Sequence, residues 1–224
     1  PMCQYSAING IPSQWHYKHL LNLSSTGASM IIMESTAIEK KGKITNSDLC
    51  LYSYSQEKNL KKLVNFLKNK NDIKLGIQIS HSGRKGSSHI PWKKTNKPLA
   101  KLDRWETCAP SSIPKDINWP KPRAMSKRNI KDLIKRFKQS AIRAKRAGFD
   151  CLEIHMAHGY LLHQFFSPIS NKRTDEYGGS LENRSRLLIE IAIEVKKAWP
   201  KNKILGARIT GDDHLTKGLN TNDA

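Results

Sequence analysis

Two histidines and a tyrosine fall within one short stretch, His155-Met-Ala-His158-Gly-Tyr160. Three kinds of chemistry suit imidazole and phenol groups at this spacing. Paired imidazoles can donate hydrogen bonds to one oxyanion, with a phenol beside them as proton donor. The same rings can ligate a metal, but H-x-x-H lacks a third ligand, and the nearest carboxylate, Glu153, sits two positions before His155 on an alternating strand. They can also be satisfied core groups. Spacing alone leaves all three readings open. The four cysteines, Cys3, Cys50, Cys108 and Cys151, form no C-x-x-C pair, which argues against a zinc site or a redox dithiol.

These groups need elements to hold them. Short apolar runs at 28–34, 73–79, 150–155 and 203–209 read as strands buried on both faces, and Pro1–Ser6 as the tail of another. Helical stripes lie between them: Leu60, Leu63, Val64 and Leu67; Ile130, Leu133, Ile134, Phe137, Ala141 and Ala144; Leu187, Leu188, Ile191, Ala192 and Val195. Ser126 is placed to cap the second stripe, Gly148 to stop it, and Pro200 to close the third. Strand–helix repetition of this kind predicts a parallel sheet with crossover helices, an α/β fold. One stretch, 85–125, breaks the pattern. It has no periodicity, holds six of the ten prolines, and reads as a long loop or lid. In an α/β barrel the working groups sit at the C-terminal strand ends. Those ends carry Met2-Cys3-Gln4-Tyr5, Glu34-Ser35-Thr36, Gln78-Ile-Ser-His81, His155 to Tyr160, and Arg208.

At 224 residues with 38% hydrophobic and 26% charged residues, the chain suits a single globular domain, read as 1–224. It holds no apolar run long enough to span a membrane. The net charge of +20 suits a polyanion partner, yet the basic residues are dispersed, which favours a lysine-rich solvated surface over a nucleic-acid site. Free thiols in a chain of this size point to the cytoplasm.

Longer motifs add to this. The run from His155 to Arg184, with Asn171-Lys-Arg173-Thr-Asp175-Glu-Tyr177-Gly-Gly inside it, resembles the Old Yellow Enzyme family of flavin ene-reductases. So do Gly76-Ile-Gln-Ile-Ser-His-Ser-Gly-Arg-Lys85 and Trp105-Glu-Thr-Cys-Ala-Pro-Ser, in family order along the whole chain. Pro1-Met2-Cys3-Gln4-Tyr5 resembles the cysteine-containing, thermophilic-like branch that includes the xenobiotic reductases. The resemblance implies a TIM (β/α)8 barrel carrying FMN, with NADPH or NADH as reductant and an activated alkene as substrate. Hydride would pass from flavin N5 to the β-carbon, and a proton to the α-carbon. It also implies a homo-oligomer for the full-length protein.

By the same resemblance, Pro1, Met2 and Cys3 would line the flavin, with Cys3 tuning its potential. Ser35 and Gln78 would bond the pyrimidine edge of the ring. Arg208 would lie near N1 and O2, where a cation stabilises the anionic reduced flavin. His155 and His158 would hold the substrate oxygen, Tyr160 would give the proton, and Tyr5 would line the substrate pocket. Asn171, Arg173 and Asp175 read as loop structure. No metal is implied.

The sequence has five strand candidates where a barrel needs eight, so the barrel is expected to be truncated after about the fifth strand. The expected product is an open half-shell whose first and fifth strands are edges, inactive and poorly soluble when expressed alone. Two other readings stand beside the ene-reductase: a degenerate paralogue that binds no flavin, and an FMN-barrel tRNA dihydrouridine synthase.

Overall fold

The computed structural model describes residues 1–93 and 97–224; residues 94–96, within the 85–125 stretch, lie outside the described residues. One parallel sheet carries the fold. Its strands are β1 (Met30–Ala37), β2 (Lys74–Ser80), β5 (Cys151–Met156) and β6 (Ile204–Ile209), in the order β1-β2-β5-β6. Two short strands, β3 (Cys108–Ala109) and β4 (Arg123–Ala124), form a separate parallel pair.

The crossovers are helical and cover one face. Helices α2 (Tyr54–Lys70), α3 (Lys127–Ala147) and α5 (Leu181–Ala198) begin at Ser53, Ser126 and Ser180, whose hydroxyls each accept the N–H three residues on. Each cap satisfies an N–H that the helix cannot. Gly148 ends α3 at φ +95°, a left-handed geometry that costs glycine little. Leu60, Leu63 and Leu67 of α2, Phe137 of α3 and Leu187, Ile191 and Val195 of α5 pack on Leu75, Ile77, Ile79, Leu152 and Ile154 of the sheet, and all are buried. Each such side chain contributes roughly 1.5–3 kcal/mol by leaving water. A first helix, α1 (Gln14–Ser24), and a short one, α4 (Leu161–Phe166), were not foreseen in the sequence.

Three expectations need correction. Pro1–Ser6 is not a strand among the described residues. The Gln4 N–H is given to the Glu34 carboxylate at 2.8 Å, and Tyr5 has φ +47°, which no strand accommodates. Among the described residues the sheet therefore has four strands rather than five, and its edges are β1 and β6. The 85–125 stretch is also not wholly irregular, because β3 and β4 lie inside it. It is held at several points: Arg84 bonds the Ile113 and Pro114 carbonyls, Arg173 bonds those of Pro110 and Met125, and Trp119 is buried.

Strand β1 pairs regularly with β2 up to Met33↔Ile77 and resumes at Ser35↔Gln78, so Glu34 is the extra residue of a β-bulge. Without it Glu34 would stand opposite Gln78. With it, Ser35 joins Gln78 and Glu153 in one row across the open face of the sheet.

Candidate active site

The open face carries the polar groups. Ser35, Gln78 and Glu153 form one row; Ser80, and the paired His155 and Arg208, lie two residues further toward the C-terminal ends. Gln78 Nε2 donates to Glu153 Oε1 at 2.5 Å, so the carboxylate orients the carboxamide. Ser35 Oγ donates to Ser80 Oγ at 2.6 Å. Arg208 is exposed at the rim of edge strand β6.

His155, near the end of β5, and His158, just beyond it, come together with ring centroids 5.0 Å apart and nearly perpendicular. The Tyr160 ring is also 5.0 Å from His155. Ala157 N–H donates to His155 Nδ1, so that nitrogen is the acceptor and the proton sits on Nε2. Burial, then the neighbouring His158, Arg208 and Lys85, pushes His155 down to about 3. Burial and the Arg208 and Lys85 charges also lower His158. Both rings are therefore neutral near pH 7 and are available as hydrogen-bond donors rather than as cations. Burial raises the Tyr160 phenol above its ordinary range, with smaller contributions from Cys3, Tyr5 and Asp48, so it stays protonated.

The N-terminal segment reaches the same place. Cys3 and Tyr5 share a hydrogen bond, and burial, with Asp48 and Glu34 nearby, raises the Cys3 thiol, which stays protonated. Tyr5 meets Trp92 edge-on at 5.7 Å, which ties the long loop to this segment. Glu34 anchors it, accepting from Gln4 N and, at 3.0 Å, from His16 Nε2. Pro1 and Met2 line a cavity of about 310 Å³ with His16, Leu20, Ile32 and Glu34, along the β1 edge. Of the expected residues, the structure brings together Cys3, Tyr5, His155, His158 and Tyr160, while Ser35, Gln78 and Arg208 are spread across the adjoining sheet face.

Several groups here carried no sequence expectation. Lys85 Nζ donates to the His158 carbonyl at 2.7 Å and stands 4.9 Å from the centre of the Tyr160 ring. Burial, with Lys115 and Arg84 nearby, pushes it down to about 8. Thr210, His163 and Gln164 also hold this turn. Their signal in the sequence was nearness to the tyrosine motif and to Arg208. Among the described residues no group of three or more His, Cys, Asp or Glu is placed to hold a metal.

All 224 residues match the NADH:flavin oxidoreductase / NADH oxidase family. The chain belongs to that family. It is 43% identical over 95% of its length to an NADH:flavin oxidoreductase of Gibberella zeae, and 41% identical over 100% to an NADPH dehydrogenase of Bacillus cytotoxicus. It covers 52% and 60% of those proteins, so it spans a little over half the length of such relatives. Among solved structures, morphinone reductase superposes with TM-score 0.81 at 26% identity, over 93% of this chain and 56% of that one. Morphinone reductase in complex with tetrahydroNAD superposes with TM-score 0.83 at 25% identity, over 98% and 61%. The Old Yellow Enzyme likeness and the α/β barrel architecture, present here in part, stand on these matches. They also make FMN the cofactor of the family, with a nicotinamide reductant. No helix among the described residues is long and apolar enough to cross a membrane.

The residues present fit a flavin. The Gln78 carboxamide offers a donor and an acceptor in one plane, Ser35 adds a hydroxyl in the same row, and Arg208 adds a cation further along that face. This donor set suits the alternating N–H and C=O groups of a pyrimidine ring edge.

Proposed function

We propose that this chain forms part of an FMN-dependent oxidoreductase that uses NADPH or NADH to reduce C=C bonds conjugated to a carbonyl or nitro group. Ser35, Gln78 and Arg208 would hold the isoalloxazine ring, and Pro1, Met2 and Cys3 would line it. When bound, FMN supplies the hydride chemistry.

The chain's own residues supply the rest. His155, its Nε2 protonated, and His158 donate to the substrate oxygen and draw electron density from the β-carbon. Because both rings are neutral, the site holds an oxygen without binding every passing anion. Tyr160 keeps its proton on Oη until the α-carbon becomes basic enough to take it. Tyr5 and Trp92 would wall the substrate pocket, the long loop acting as a lid. The cysteine at position 3 supports the reading of the chain as one of the thermophilic-like branch. A cytoplasmic setting suits its four free thiols.

The observation that carries this reading is the perpendicular pair of neutral imidazoles with a protonated phenol 5.0 Å from one of them. The test titrates the FMN-loaded protein, in the longest form its gene encodes, with 4-chlorophenol and follows a long-wavelength charge-transfer band. His155→Ala and His158→Ala should each weaken binding by roughly 1–3 kcal/mol, the worth of one hydrogen bond to a charged oxygen. Unchanged dissociation constants in both variants would reject the assignment.

A further inference from the structure

His158 and Gly159 are both left-handed, at φ +60° and +69°. Glycine adopts this readily, whereas a histidine there is strained and stays only if its surroundings impose it. The surroundings here are specific. All four backbone polar groups of the dipeptide are taken by side chains. His158 N–H donates to Thr210 Oγ1 at 3.1 Å, and its carbonyl accepts from Lys85 Nζ at 2.7 Å. Gly159 N–H donates to His163 Nδ1 at 2.7 Å, and its carbonyl accepts from Gln164 Nε2 at 2.7 Å.

His163 is itself set from behind. Its Nε2 meets Asp213 Oδ1 at 2.8 Å. Asp213 Oδ2 in turn accepts from Ser167 Oγ at 2.6 Å and from Leu219 N–H at 2.9 Å. Because Nδ1 accepts from Gly159, Nε2 must carry the ring proton and donate it to the aspartate. The tautomer is thus fixed at both ends.

We propose that His163 is the positioning residue of the oxygen cradle: through Nδ1 it fixes the left-handed His158–Gly159 turn, and with it the His158 ring and the Tyr160 hydroxyl. This inference rests on the reading of His155 and His158 given above. The turn lies between the two functional side chains, so any relaxation of it moves one against the other. Neither His163 nor Asp213 need touch substrate or flavin.

A second proton on His163 would set Nδ1–H against Gly159 N–H, two donors face to face, and the turn would lose one of its four anchors. Burial lowers the ring's affinity for that proton, Asp213 opposes this, and Lys85 and Arg84 on the facing turn reinforce it. The cradle therefore holds at neutral pH and loosens in acid.

Two measurements test this. In the 15N spectrum of histidine-labelled wild-type protein, His163 should be neutral at pH 7 with Nε2 protonated. An imidazolium, or a proton on Nδ1, would overturn the proposal without any variant being made. The second measurement is 4-chlorophenol affinity of the FMN-loaded protein from pH 5 to 8. His163→Leu should bind about tenfold more weakly at pH 7, the effect of one lost hydrogen bond. In His163→Asn the carboxamide oxygen takes the place of Nδ1, so affinity should return to within about threefold of wild type. Because asparagine does not titrate, the acid loss of affinity that remains in wild type after the phenol's own ionisation is allowed for should also shrink. If both variants bind as wild type does, the proposal fails. It fails also if asparagine restores nothing or leaves the acid loss unchanged while the protein stays folded. If His158→Ala likewise leaves binding unchanged, the fault lies in the cradle reading itself.

Discussion

Removing the second acceptor oxygen from Glu34 should loosen one end of the site. This carboxylate sits on the bulge of β1 with its side chain 3% exposed. Oε2 takes the Gln4 N–H at 2.8 Å and Oε1 the His16 Nε2–H at 3.0 Å. His16 cannot turn its ring to compensate, since its Nδ1 already accepts from Ser13 N–H. In Glu34→Gln one oxygen remains for two donors, and an amide N–H faces the other. Hydrogen bonds to charged groups are worth about 1.5–3 kcal/mol, so the variant should lose roughly 2–3 kcal/mol. For a chain of this size that is about 5–10 °C in Tm. Urea unfolding should show a lower midpoint at unchanged slope, because the folded state remains compact. The loss is also local. Cys3, next to the released Gln4, should be alkylated faster by a maleimide, measured by mass spectrometry of its peptide, while buried Cys50 and Cys151 stay protected. Stability within about 0.5 kcal/mol of wild type together with unchanged Cys3 labelling would refute the argument.

Tyr160→Phe should slow reduction of an enone by pre-reduced enzyme more than it slows flavin reduction by NADPH, because only the first needs an acid; stopped-flow traces of the two half-reactions decide this. Arg173→Ala should cost roughly 1.5–3 kcal/mol in urea unfolding, since it breaks a bidentate pair with the part-exposed Asp175 and strips two carbonyls, Pro110 and Met125, of their donor. His155, held near 3 against an ordinary 6.5, takes up a proton on unfolding anywhere between those values. Stability should therefore fall as pH drops from about 6.5 toward 3, by up to about 1.4 kcal/mol per pH unit, and this acid slope should be shallower in His155→Asn.

Much of the scaffold was legible because simple rules govern it. Four apolar runs became the four strands, and Ser126 and Gly148 bound α3 as their chemistry suggests. Helix α1 shows no apolar stripe in the sequence, for a physical reason. Its buried stripe is His16, Leu20 and Ser24, at helical spacing but mostly polar, while Trp15 and Leu23 face solvent. The first strand was misread because extended-looking residues at 1–6 bond to side chains instead of to a ladder. In the site, residue type announced His155, His158 and Tyr160. Lys85 and Asp213 lie 73 and 55 residues from His158 in sequence and meet its turn only through the fold. Side-chain anchoring of a backbone turn leaves no periodic trace.

The bulge also bears on how this strand tolerates length changes. The registers on either side of Glu34 are each regular, so the extra residue is confined to one place. Deleting Glu34 would let the ladder run straight from Met33↔Ile77 to Ser35↔Gln78, moving nothing downstream. A deletion one or two positions later would also leave Ala37 opposite Ser80, but it would put Glu34 in place of Ser35 opposite Gln78 and so take the hydroxyl out of the polar row. Sequences aligned to this one should accordingly accept a gap at position 34 and resist one at 36. Where the gap occurs, the N-terminal segment needs a different anchor.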